Sequence, residues 1–238
     1  MKRAAGVLVS LLVTSASYLF AQTSTNVAAV ALSGDVSTNK PTITQLMQGA
    51  QFTNATGLVL VKISDGLWAG KYLVTQKEYT KVVGSNPSQF QGESNPVDSV
   101  SWNDAVNFCA RLAALEAKDD FLPKGWAYTL PTQAQWETLM ADTTLDQAFT
   151  SQKEKRTGTA PVGSLPANAL GLYDARGNLW QWCLDPADKP FRVLKGAAWD
   201  TALEVNLRPV FRWYSNGPDE RKSIFGFRCL LVRAPTTN

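Results

Sequence analysis

Residues 168–185 read NALGLYDARGNLWQWCLD, a turn followed by closely spaced aromatics. Gly177-Asn178 is a turn signal. Trp180 and Trp182 follow it two residues apart, the period that places side chains on one face of an extended strand. Large amphipathic rings bury wide areas where a chain has few long helices, so both tryptophans are expected in the core. Arg228, in the C-terminal GFRC, is expected as a buried partner for a carboxylate or for main-chain carbonyls.

Upstream, GLVLVKISDGLWAGKYLV (57–74) carries apolar, β-branched runs interrupted by Asp65-Gly66 and Gly70, the pattern of a hairpin. Three helix starts pair a Ser or Thr with an acid or amide three residues on: Thr75 with Glu78, Ser101 with Asp104, and Thr132 with Gln135. Such pairs satisfy the free N-terminal amides of a helix. The first helix should stop at Gly84. The second, WNDAVNFCARLAALEA, repeats Ala105, Cys109, Leu112 and Leu115 at helical spacing, so those four are expected on its buried face. Beyond Met140 the periodicity fades into turn residues, and the last third is short aromatic segments between loops. The mixture indicates an α+β fold with much irregular backbone.

The first 21 residues have a basic start, an apolar run from about Gly6 to Phe20 and small residues where a peptidase can cut, which is the form of a signal peptide ending at Ala21, with Ala16 as a second cleavage point and an uncleaved anchor as the alternative. Residues 22–50 are Ser/Thr/Asn/Ala-rich and read as a linker or loosely ordered arm; residues 51–234 form the domain. An exported chain, periplasmic or secreted, is the expectation, touching membrane only through its leader before cleavage. The formal charge is +3, and two basic residues, Lys2 and Arg3, lie in the leader, so the remainder is near neutral and nucleic acid is not an expected partner.

Histidine is absent. That removes Ser-His-Asp and Cys-His catalysis, imidazole-based zinc sites and the facial triad of non-haem iron enzymes. Acid or base work would fall to Asp, Glu, Lys or Tyr.

Six segments, in one order, resemble the formylglycine-generating (sulfatase-modifying factor) enzyme family: GKYLVTQKEY (70–79), GSNPSQFQGESNPVDSVSWNDAVNFCARL (84–112), LPTQAQWE (130–137), NALGLYDARGNLWQWCLD (168–185), RVLKGAAWD (192–200) and GFRCLLV (226–232). The resemblance implies an irregular α+β architecture related to the C-type lectin fold, with little regular secondary structure. It also implies an oxidase that converts a sulfatase cysteine to formylglycine with copper on two thiolates, placed between the GGSW-like and GFR segments. Soft thiolates select Cu(I) and are not replaced by hydroxyl or amide groups. Between Gly196 and Phe227 there is no cysteine; counted without gaps, the two positions fall near Thr201 and Asn206, and the serine of the family's GGS triplet is Ala198. A structural calcium site of the family uses a glutamate that corresponds to Gln181, which supplies oxygen without charge. The second lies in a stretch here replaced by Thr143–Thr159. Family relatives that activate oxygen on iron take it from histidines. No cofactor and no tightly held metal are therefore expected.

In the equivalent groove stand Trp199, Asp200, Asn206, Arg208, Arg212, Trp213, Tyr214, Asp219 and Arg221, rigid aromatics with charged groups that suit a peptide, glycan or protein ligand held by stacking and bidentate guanidinium bonds. The alternative for the charged members is mutual pairing at the surface. The leading expectation is thus an exported, non-catalytic binding or structural module; a formylglycine-generating oxidase or other redox enzyme of the family is the second, and a lectin-like ligand-display protein the third. The resemblance further implies a Cys109–Cys229 disulfide, with Cys183 left as a buried thiol.

Overall fold

The computed structural model describes residues 43–118, 121–186, 190–208, 211 and 213–234, so the expected leader and most of the expected arm lie outside the described residues. Two antiparallel-dominated sheets and three substantial helices organise the described residues. A short helical turn, α1 (Ile43–Leu46), precedes strands β1 (Gln51–Thr53), β2 (Val59–Ser64) and β3 (Leu67–Gly70). Helices α2 (Gln76–Val83) and α3 (Trp102–Lys118), strand β4 (Trp126–Thr129) and helix α4 (Gln133–Met140) follow. The remainder is β5 (Trp180–Pro186), β6 (Arg192–Lys195), β7 (Trp213–Asn216), β8 (Phe225–Gly226) and β9 (Leu230–Arg233). Leu46 and Met47, in the stretch assigned to the arm, pack against the core, so ordered structure begins before residue 51.

The expected hairpin is β2–β3, antiparallel, turning at Asp65-Gly66 with Gly66 at φ +86°. It lies in a five-stranded sheet of order β1-β2-β3-β9-β4. The second sheet has order β7-β6-β5-β8, and its β5–β8 pair is parallel. Each helix begins as its sequence indicates. Thr75 and Glu78 close one reciprocal box, Thr132 and Gln135 another, and Asp104 N–H donates to Ser101 Oγ at 3.0 Å while Ser101 N–H donates to Asp104 Oδ2 at 2.9 Å. Helix α2 ends at Gly84, whose φ of +91° is a left-handed cap.

The buried face of α3 is Ala105, Phe108, Cys109, Leu112 and Glu116, while Leu115 is exposed at 39%. Glu116 takes the inward place because it has partners there: Tyr128 donates its hydroxyl to Oε2 at 2.7 Å and Ala55 N–H donates to Oε1 at 3.3 Å. A buried carboxylate with such donors is tolerated where an orphan would not be. Phe108 stacks on Tyr79 at 5.6 Å and meets Phe227 edge-on at 5.2 Å, joining α2, α3 and the approach to β9.

Trp180 and Trp182 are both buried, as the turn and period require, and so is Gln181 between them, so β5 is enclosed on both faces. Trp182 Nε1 donates to Val100 O at 2.9 Å and its ring meets Phe225 edge-on at 5.1 Å. Gly177 is placed by close approach: at φ +82°, a Cβ on it would stand 2.6 Å from Phe149 N. Only glycine fits both constraints.

Candidate functional site

The turn Ala198–Thr201 carries the first two residues of the expected ligand set. Ala198 N–H donates to Thr201 Oγ at 3.0 Å, and Thr201 N–H donates to Ala198 O at 3.1 Å. Trp199 leaves this turn half-buried, donates from Nε1 to Ser223 O at 3.3 Å and meets Phe90 edge-on at 5.2 Å. Asp200 is exposed at the tip, and partial burial pushes its carboxyl above the ordinary range.

Asp219 and Arg221 have partners away from Trp199. Arg221 grips Asp104 with two bonds, Nε to Oδ2 at 2.7 Å and Nη2 to Oδ1 at 2.9 Å, and Asp219 accepts from Asn103 at 2.7 Å. Both therefore tie the C-terminal segment to the first turn of α3, in the mutual surface pairing given as the alternative for the charged residues. Burial alone would raise Asp104, but the bonds from Arg221 and Ser101 outweigh it and hold the carboxyl low. Asn206 lies in the 3₁₀ turn Glu204–Leu207 and Arg208 is exposed just beyond it. Arg212 and the side chains of Trp213 and Tyr214 lie outside the described residues.

What gathers around Trp199 comes largely from the stretch Thr143–Thr159. Ser151 N–H donates to Thr201 O at 3.1 Å, its hydroxyl donates to Trp199 O at 2.8 Å, and it accepts from Arg156 N–H at 2.9 Å. Gly158 lies against the Phe90 ring so closely that a Cβ there would be 2.7 Å from Cδ1. Asn178, at φ +63°, exchanges bonds with Ala160, and Thr159 Oγ accepts from Asn95 at 3.3 Å. These ties frame a recess of 380 Å³ lined by Phe90, Phe149, Lys155, Arg156, Thr157 and Thr159, with Gly158 in its wall. The Arg156 guanidinium lies 4.4 Å from the centre of the Phe149 ring. The only advance signal was the basic run KEKR (153–156) next to Thr157-Gly158-Thr159 in a stretch without periodicity. Phe149 also pairs with Gly177, so Arg176 comes beside this region; it is 6% exposed, has no hydrogen bond or salt bridge among the described residues, and burial draws its guanidinium below the ordinary range.

Neither the copper site nor the calcium site at Gln181 fits the residues present. At the first copper position Thr201 is buried with its oxygen committed to the Ala198 turn, and at the second Asn206 offers an amide. The three sulfurs are interior, with exposures of 3% for Cys109 and 0% for Cys183 and Cys229. Burial raises the Cys183 and Cys229 thiols, which disfavours the thiolate a soft metal needs. Cys109 and Cys229 face each other as free thiols, sulfurs 3.7 Å apart. At the calcium position, Gln181 Nε2 donates to the Asp174 and Ala175 carbonyls at 3.0 and 3.2 Å. Arg228 donates to Gly70, Tyr173 and Asp174 carbonyls at 2.7, 2.6 and 3.0 Å, and its Nε reaches Gln181 Oε1 at 3.4 Å. Side-chain protons thus occupy carbonyls in this turn, where a cation would require bare oxygens. The buried partners expected of Arg228 are carbonyls.

Comparison with known proteins agrees with this architecture. Chaperone protein LppX of Paenibacillus barcinonensis is 29% identical, covering 67% of this chain and 79% of that protein. The inactive C-alpha-formylglycine-generating enzyme 2 of Mus musculus is 36% identical, covering 56% of this chain and 48% of its own, so the chain spans less than half of that relative. Among solved structures, Treponema denticola variable protein 1 superimposes with a TM-score of 0.61 at 23% identity, over 70% of this chain and 84% of that one, which establishes the fold. The model of the sulfatase-modifying factor enzyme 1-like domain matches residues 38–233, nearly all of the expected domain and a little before it. The chain belongs to the sulfatase-modifying factor enzyme 1-like family, and its fold is the irregular α+β fold of that family.

Proposed function

We propose that this chain is an exported, non-catalytic member of its family that acts as a binding module through the face around Trp199. The observation that carries this reading is the position of sulfur. All three cysteines are interior and no cysteine lies between Gly196 and Phe227, so no thiolate pair reaches the groove. Soft-metal oxidation of a substrate cysteine has no ligands there. The mouse relative is named as inactive, which supports the non-catalytic part of the reading, and LppX as a chaperone, which supports the binding part. Fold alone does not give function, so the reading rests on the chemistry of the groove.

The test is incubation of purified mature protein with copper, oxygen, a reductant and a Cys-Xaa-Pro-Xaa-Arg peptide, with mass spectrometry of the product. Unchanged peptide is expected; conversion of its cysteine to the aldehyde overturns the reading. Export is tested by intact mass from an exporting host. A chain beginning at or near Gln22 is expected, and retention of Met1 would favour the anchor.

A further inference from the structure

The recess beside Trp199 is basic on one wall and aromatic on another, and its charges are not balanced. In the run 153–156, Lys153 is paired with Asp146, and Glu154 Oε2 meets Arg156 Nη1 at 3.1 Å. Lys155 is exposed and in no salt bridge among the described residues. Arg156 Nε is buried and has no hydrogen-bond partner among the described residues, while the side chain as a whole is 28% exposed and lines the recess. An oxyanion in the recess meets the guanidinium through its accessible atoms, and a charge-assisted hydrogen bond is the gain. The guanidinium carbon sits 4.4 Å from the centre of the Phe149 ring, a cation–π contact that holds the group beside the recess, where a carboxylate can accept from it. Glu154 shows which acceptor fits: it is a carboxylate, and at 71% exposure its hold on Nη1 is a surface pair that an incoming group can displace. A volume of 380 Å³ takes one or two side chains.

We propose that this recess binds a carboxylate side chain of an acidic peptide segment, with Arg156 gripping the carboxylate, Lys155 adding charge at the mouth, and the rings of Phe90 and Phe149 covering the methylenes of the bound side chain. Lys155 and Arg156 are the specificity residues, and Gly158 allows Phe90 to lie flat in the wall. The inference deepens the non-catalytic reading, since it assigns a ligand class to the same face.

The experiment is an NMR titration of the whole ¹⁵N-labelled chain with the capped dipeptide N-acetyl-Glu-Glu-amide, with the Gln-Gln counterpart and inorganic sulfate as comparison probes. Saturable shifts confined to the amides of residues 155–159 and Phe90 are expected. Lys155→Ala and Arg156→Gln should each weaken binding about tenfold or more, the scale of one charged hydrogen bond, and Lys222→Ala should leave it unchanged. Lys155 is exposed, so its variant decides the matter even if Arg156→Gln unfolds. Shifts that do not saturate or that scatter over the surface overturn the proposal. So does equal binding of the Gln-Gln probe, which would remove the carboxylate, or of sulfate, which would make the recess a general anion site. Aldehyde formation in the peptide assay bears on the non-catalytic reading alone, so failure of either can be told from failure of the other.

Discussion

Replacing Arg228 by methionine removes the group that joins the two sheets at the turn before β5. The guanidinium gives hydrogen bonds to three carbonyls, of Gly70, Tyr173 and Asp174, and to Gln181 Oε1. Methionine keeps much of the volume and none of the donors. Four lost bonds at about 1–1.5 kcal/mol each come to about 4–6 kcal/mol. Part of this is offset, because burial of the charge is itself costly and draws the Arg228 guanidinium down to about 10. Asp174, already raised by burial, also loses the positive charge that lowers it. The net loss expected is about 3–5 kcal/mol. For a domain of this size that lowers Tm by about 6–20 °C. Urea unfolding at neutral pH, followed by tryptophan fluorescence, measures the first figure and a thermal scan the second. Arg228→Lys, which keeps the charge but reaches fewer acceptors, should fall between methionine and the parent. A methionine variant within about 1 kcal/mol of the parent would show that the carbonyls find other donors and would refute the stapling role.

Gly177→Ala places a Cβ against Phe149 N at a left-handed φ, so a loss of about 2–4 kcal/mol is expected in the same urea assay. Arg221 holds the Asp104 carboxyl low, so its contribution is present above the ordinary carboxylate range near 3.8 and fades as pH falls through the lower folded value. The gap between parent and Arg221→Gln, about 1 kcal/mol or less for so exposed a pair, should therefore close on acidification, as urea midpoints between neutral pH and pH 2–3 will show. Chain folded under oxidising conditions is expected to carry a Cys109–Cys229 bridge in a non-reducing peptide map. Because both sulfurs are buried and the Cys229 thiol is raised, the bond should form during folding and not by later oxidation of folded protein. Closing a loop of 120 residues is worth about 4–5 kcal/mol against the reduced form, and a map linking Cys183 instead would refute the pairing.

Local physics was legible from the residues alone. Helix starts are set by pairs three residues apart, the hairpin by Asp65-Gly66, and the burial of Trp180 and Trp182 by a turn and a period of two, so each could be placed without knowing what lay opposite. The family pattern and the missing cysteine pair are equally matters of sequence. The tertiary structure decided every question of partnership. Leu115 has the spacing of a core residue, yet Glu116 is the one buried, because Tyr128 and Ala55 bring it donors from distant segments. Arg221 and Asp219 could serve a ligand or each other's neighbours as far as sequence shows; the backbone brings them to α3, 117 residues away for Arg221 and Asp104, where both find partners. The recess draws Phe90, Phe149 and Arg156 from separate irregular stretches held by Ser151, Asn178 and main-chain bonds. Periodicity reports which way a side chain faces; only the path of the backbone determines what it meets.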